Sequence, residues 1–244
     1  MKTVHDILNY LWTVAPEEGK EPWDNVGHLV GRRNAEVDHI LVSLDITMPV
    51  IQEAAEIWDT YKHVTDSVFQ QDKVLTLAEH KIAAICMHTN LDEAVDGVDD
   101  TLVETLGLTP EGHLAEGTIG HVSTLPEPMA LQDFLREVKE KLHANGLRYC
   151  DSGRPVHRIA TGCGSCGEYL ADAVKAGCDT FITGDVKYSV MIDALGQGIN
   201  LIDAGHYPTE NPIVAKLRRK LQAQFPEIHV EIAENIAQPD QFFI

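Results

Sequence analysis

Two stretches of the chain bring metal-type donors close together. His206 and Glu210 are four residues apart, just after the apolar run Asn200-Leu201-Ile202-Asp203. Asp92 follows the run Ile82-Ala83-Ala84-Ile85-Cys86-Met87 by way of His88-Thr89-Asn90-Leu91. A helix starting near Pro208 turns His206 and Glu210 toward one point. One imidazole with two carboxylates suits Zn²⁺, Mn²⁺ or Fe²⁺ better than a thiolate-seeking metal. The same residues also serve a plain structural purpose, with His206 capping a strand–helix turn and Asp92 acting as a helix N-cap or turn residue.

A third stretch, Thr161-Gly162-Cys163-Gly164-Ser165-Cys166-Gly167, admits three readings. Gly162, Gly164 and Gly167 match the glycine spacing of a dinucleotide-binding turn, with Asp185 near the end of the next strand as the ribose acid. Cys163 and Cys166 form a C-x-x-C at a helix start, where the dipole lowers a thiol pKa, as in a dithiol oxidoreductase. In the third reading the glycines let the chain turn tightly, the cysteines fill the gap, and the loop is the backbone wall of another site. The third reading leads. The motif falls past mid-chain, away from the first strand of a nucleotide-binding unit, and no second C-x-x-C supports the thiols.

These groups must be held by alternating strands and helices, the α/β signature. Residues 3–14 carry Val4, Ile7, Leu8 and Leu11 at helical spacing. A Gly/Pro-rich loop over 16–31 follows. Then come a strand over 39–44, helices over 48–57 and 72–80, a buried parallel strand over 82–87 and a helix over 98–106 stopped by Gly107. Two prolines in Ser123-Thr124-Leu125-Pro126-Glu127-Pro128 mark a seam. Residues 129–146 form a helix with Leu131, Phe134, Leu135, Val138 and Leu142 on one stripe and Asn145-Gly146 as its cap. The second half reads strand 158–161, helix 168–177, strand 179–183, helix 188–195, strand 200–203, helix 211–223 and strand 228–232. The expected organisation is two similar α/β lobes, 1–122 and 123–244, with interleaving allowed.

The 244 residues include 19 Lys+Arg and 38 Asp+Glu, a net charge of −19. Nucleic-acid backbones and anionic membranes demand clustered cations, so neither is an expected partner. An anionic substrate is repelled unless a cation offsets the field. Hydrophobic residues at 44% allow a real core. There is no apolar run of membrane-spanning length and no signal-peptide pattern. Five cysteines without a disulfide framework make a reducing, cytoplasmic setting the expectation.

Several motifs now appear in order: Trp23-Asp24-Asn25-Val26-Gly27, Ser43-Leu44-Asp45-Ile46-Thr47, His88-Thr89-Asn90-Leu91-Asp92 with Gly97-Val98-Asp99-Asp100, Thr183-Gly184-Asp185-Val186-Lys187-Tyr188, and Asp203-Ala204-Gly205-His206-Tyr207-Pro208-Thr209-Glu210. Together they resemble the NIF3-like (YbgI/YqfO) dinuclear-metal family, often labelled GTP cyclohydrolase 1 type 2 homologues. The resemblance implies a two-lobed α/β subunit, a homohexameric ring and a metal-dependent hydrolase centre. It also implies Asp92, His206 and Glu210 as ligands of one or two divalent ions. The family's His-His-Pro strand end has no counterpart in residues 53–66, as though an early strand were deleted, and His63, the one histidine there, is the remaining candidate ligand of that interval. Losing two ligands costs the second ion at least, which leaves a non-catalytic scaffold as the alternative. His88, Asp45, Asn25 and Lys187 are candidates to line the cavity or support the ligands, Lys187 for an anionic substrate group. Each has a plain structural reading as well.

Overall fold

The computed structural model describes residues 1–48, 50–51, 69–115, 119–235 and 238–243. The chain forms two compact units. One comprises Met1–Ala94 with Val214–Ala237, the other Val95–Ile213 with Gln238–Ile244. The first unit opens with β1 (Lys2–Thr3), α1 (Val4–Val14), β2 (Gly27–Val30), β3 (Glu36–Val37), β4 (His39–Val42), α2 (Phe69–Glu79), β5 (Ala84–Cys86) and α3 (Thr89–Asp92). The second holds α4 (Val98–Leu106), β6 (Pro110–His113), β7 (His121–Met129), α5 (Leu131–Lys141), β8 (Arg148–Cys150), β9 (Val156–Thr161), α6 (Leu170–Lys175), β10 (Thr180–Thr183), α7 (Tyr188–Gln197), β11 (Asn200–Asp203) and α8 (His206–Glu210). The helix α9 (Pro212–Gln224) counts with the first unit from Val214 on, as does β12 (His229–Ile232).

The first unit is built from short pairings: β1 with β3, β2 with β5, and β4 with β12. Its opening helix is fixed by a capping box, in which the Thr3 hydroxyl accepts from the Asp6 N–H and the Asp6 carboxylate accepts from the Thr3 N–H. Val4, Ile7 and Leu11 are its buried face. Residues 82–87 do not form the expected parallel strand. Only Ala84–Cys86 is strand, and it runs antiparallel to β2, inside the segment expected to be all loop. Only Ala84 of the run is buried, so its apolar character signalled neither full burial nor the partner.

The second unit carries one six-stranded sheet, in the order β6-β7-β9-β10-β11-β8. Its centre is parallel: Thr180–Ile182 pair with Ile159–Thr161 on one side, and Thr180–Thr183 pair with Asn200–Asp203 on the other. Phe181, Ile182, Leu201 and Ile202 have no exposed surface. Such strands need cover on both faces, hence the unbroken apolar runs.

The expected seam at 123–128 is part of a continuous strand, β7, which pairs with β9 and changes register between Thr124 and Met129. The two prolines sit where the ladder is interrupted, so their missing N–H groups cost no pairing there. The expected lobe boundary at 122/123 therefore falls within β7. Helix α5 also ends earlier than its stripe suggested. Leu142 is the C-cap, His143 takes φ +51°, and the Ala144 N–H bonds the Lys139 carbonyl. This is a Schellman stop, made with histidine rather than with Asn145-Gly146.

Candidate metal centre

Three neighbouring parallel strands, β9, β10 and β11, end on the same side of the second unit. Their loops, Gly162–Gly167, Gly184–Lys187 and Ala204–Gly205, lie beside one another, as expected where α/β sheets bind ligands. The loops are stitched by backbone bonds: Gly162 N–H to Ile182 O, Gly184 N–H to Gly164 O at 2.7 Å, and Ala204 N–H to Thr183 O. Buried carboxylates complete the scaffold. Asp99 accepts from the N–H groups of Gly120 (2.6 Å) and Cys163 (2.9 Å). Asp203 accepts from Val186 and Gly205 and meets the Arg148 guanidinium at 2.9 Å. Burial leads the forces on the Asp203 carboxyl and raises it above the ordinary carboxylate pKa.

His206 begins α8 directly after Gly205, so the helix starts two residues earlier than Pro208 suggested. Proline is tolerated in this first turn because its N–H would have had no helical partner. The four-residue spacing then places His206 Nε2 3.0 Å from Glu210 Oε1. The other ring nitrogen, Nδ1, lies 2.8 Å from Asp185 Oδ2. Without a cation, the hydrogen bond to Glu210 and the adjacent charges of Glu210 and Asp185 outweigh burial and push the imidazole up to about 9.

The Gly-rich loop forms the floor of this cluster. Gly164 sits at φ +57°, and a Cβ there would lie 2.3 Å from Glu210 Oε1 and 3.1 Å from His206 Nε2. At Gly184 an added Cβ would meet the Gly205 and His206 backbone at 2.6 and 2.7 Å. Buried Thr209 receives the Gly164 N–H at 3.0 Å, which fixes the loop to α8. Gly167, by contrast, would place a Cβ no closer than 3.7 Å to its surroundings. A dinucleotide turn uses its third glycine for close packing, so this distribution supports the backbone-wall reading. The C-x-x-C opens onto a three-residue 3₁₀ turn, Gly167–Tyr169, and Cys163 is 7% exposed with its Sγ 3.4 Å from the Thr209 carbonyl. A buried thiol lacks the open setting of a reactive thiolate.

Asp92 ends α3 in the first unit, and its N–H bonds the His88 carbonyl. His88 is half-exposed, with Nδ1 2.9 Å from Asp24 Oδ1 and its ring edge-on to Trp23. Asp24 also accepts from the Thr89 hydroxyl (2.6 Å) and N–H (3.1 Å). Burial acts to raise the Asp24 carboxyl, but the hydrogen bonds from Thr89 and His88 outweigh it and hold the group at about 2. Asn25 is exposed, and its N–H donates to Asp24, a turn role. Asp45 is exposed, and the cap-type bond in this segment comes from the Thr47 hydroxyl, which accepts from the Val50 N–H at 3.4 Å. Lys187 is an exposed N-cap of α7. His63 and the interval 53–66 lie outside the described residues.

Sequence reasoning missed two members of the cluster. The sequence marks Asp185 only as a ribose ligand, although its place after β10, beside the β11 loop, signals proximity to His206. Thr209 stands in the sequence only as part of a motif. A third group was missed altogether. His39, His229 and Glu231, in the first unit, each offer a donor atom within 4.8 Å of the others.

Comparison with known proteins agrees with the motif pattern. A Clostridium acetobutylicum protein named GTP cyclohydrolase 1 type 2 homolog is 33% identical, with 98% of each chain covered. A Clostridium perfringens protein of the same name is 30% identical over 98% of this chain and 99% of its own. Among solved structures, a Staphylococcus aureus protein superposes with a TM-score of 0.86 at 26% identity, covering 99% of both chains. A Bacillus cereus protein related to NIF3 shares the fold, with a TM-score of 0.87 at 20% identity. The family model Duf34/NIF3 (NGG1p interacting factor 3) matches residues 2–239, and the chain belongs to that family.

Proposed function

We propose that the His206–Glu210 cluster holds one divalent transition ion and that the protein is a metal-dependent hydrolase. The observation that carries this reading is the 3.0 Å approach of His206 Nε2 to Glu210 Oε1 over Gly164, where an added Cβ would displace the Glu210 carboxylate. An imidazole and a carboxylate that already share a proton are suited to share a cation instead, and the donor set fits zinc, manganese or iron. Bound there, a divalent ion supplies Lewis acidity for hydrolysis.

The chain's own residues do the positioning. Asp185 accepts a hydrogen bond from His206 Nδ1–H, which orients the ring so that Nε2 faces Glu210. Thr209 and Gly164 hold the wall at contact distance. Lys187 stands exposed beside the Asp185 loop as a positive group for an anionic substrate. With a net charge of −19, that substrate depends on the cation for binding. The relatives' name suggests nucleotide ring opening of the cyclohydrolase type as the first reaction to assay. A homohexamer, as the resemblance implies, is proposed as the working assembly.

Metal analysis of the purified protein tests the site. A metal content that falls by about one equivalent in Glu210→Ala is the expected result. A metal content that this substitution leaves unchanged overturns it. A second reading, a non-catalytic scaffold, is favoured by the absent His-His-Pro motif. It predicts an intact ring by light scattering with no metal-stimulated turnover.

A further inference from the structure

In the first unit, β4 and β12 run parallel with His39 paired to His229 and Leu41 to Glu231. His229 and Glu231 are two residues apart on one strand, so both face the same side. The His39 and His229 rings lie 5.2 Å apart, tilted by 52°. Each contributes Nε2 to the same carboxylate: His39 meets Glu231 Oε2 at 3.2 Å and His229 contacts Oε1. The side chains are 51%, 63% and 48% exposed, so an ion can reach them from solvent.

We propose that His39, His229 and Glu231 form a second, separate transition-metal site that staples β4 to β12. Two imidazoles and a carboxylate are the donors zinc prefers, and calcium or magnesium would demand oxygen ligands. Donors around a tetrahedral zinc with bonds near 2 Å stand about 3.3 Å from one another. The His39–Glu231 approach already has that spacing. Three protein ligands leave one position for water or an exogenous donor.

The backbone beneath the site is held from both sides. Toward β4, the His229 N–H bonds the Asp38 carbonyl at 3.0 Å and the Ala233 N–H bonds Val42. On the opposite edge of β12, fully buried Val230 donates its N–H to Gln222 Oε1 and accepts from Arg218 Nε at 3.0 Å. Gln222 also donates to the Ile228 carbonyl. The strand that carries two of the three ligands is thus fixed in register before any ion arrives, which lowers the ordering cost of binding. Because the ligands come from opposite ends of the chain, the bound ion ties segments that only folding brings together, and it stabilises the folded state by mass action.

The test uses metal-stripped full-length protein, both wild type and a His206→Ala/Glu210→Ala form, titrated with zinc in a calorimeter. Binding of about one equivalent in the doubly substituted form, weakened at least about tenfold by His229→Ala or Glu231→Gln, is expected. Zinc should also raise the Tm of that form, and calcium and magnesium should not. Zinc uptake in the doubly substituted form that is indifferent to His229→Ala and Glu231→Gln overturns the proposal, as does no uptake at all. Should His229→Ala fail to fold, His39→Gln, at the exposed start of β4, decides the question by the same reading. A failure of the His206–Glu210 centre would show instead as equal zinc uptake by wild type and the doubly substituted form, with the His229 dependence intact.

Discussion

The two histidine–carboxylate clusters are built by opposite means. Asp185 stands on the loop after β10, and His206 and Glu210 on the short helix after β11, where backbone bonds, buried Asp99 and Asp203, and glycines at contact distance fix their positions. His39, His229 and Glu231 stand on an exposed two-stranded pair and owe their meeting to register alone. A cluster of the first kind fails when its scaffold is disturbed. A cluster of the second kind tolerates changes to its own side chains, because they contribute little to the fold.

Four measurements test that contrast. The largest is Gly164→Ala. A Cβ at φ +57°, 2.3 Å from Glu210, combines left-handed strain with a clash. It should cost about 3 kcal/mol in urea unfolding, whereas Gly167→Ala, whose Cβ would make only ordinary van der Waals contact with Val190, should stay within about 0.5 kcal/mol. Equal effects at the two glycines would refute the wall reading of the loop.

Next is Asp99→Asn. One amide group would face a backbone N–H it cannot accept from, at either Gly120 or Cys163. That should lower stability by about 1–3 kcal/mol, with no charge partner lost.

Acid titration probes the first unit. The Asp24 carboxyl is depressed to about 2 from an ordinary 3.8, so its contribution is present above the ordinary value and is lost as pH falls through about 2. After allowance for solvent screening, wild type should lose about 1 kcal/mol more than Asp24→Asn between pH values of about 5 and 2. Matching pH profiles would show that the bonds from Thr89 and His88 do not hold in solution.

The smallest effect is His229→Ala in metal-free protein. An exposed pair is worth little, so the unfolding midpoint should shift by the equivalent of at most about 0.5 kcal/mol. A larger loss would mean that the cluster supports the fold directly and would blur the distinction drawn above.

The chemistry at His206 and Glu210 was visible in the sequence because a helix converts a spacing of four residues into proximity, whatever surrounds it. The strands Thr180–Thr183 and Asn200–Asp203 were visible for a similar reason: a strand covered on both faces must be apolar throughout, and that leaves a local trace. The stop of α4 at Gly107, with φ +70°, is equally local. What sequence could not supply was partnership. Residues 82–87 announced a strand but neither its partial exposure, with Ala84 alone buried, nor its antiparallel pairing with Gly27–Val30. The prolines of 123–128 announced interruption but not the strand that runs through it.

Asp185 needed the adjacency of β10 and β11 before it could be seen to hold His206. His39 and His229 needed the β4–β12 register before they could be seen as neighbours at all. By itself the sequence determined the α/β class, the local ligand pair and, through the order of its motifs, the family. Tertiary structure decided which distant side chains meet, because strand pairing and register follow from the summed fit of whole elements and leave no mark at any one position.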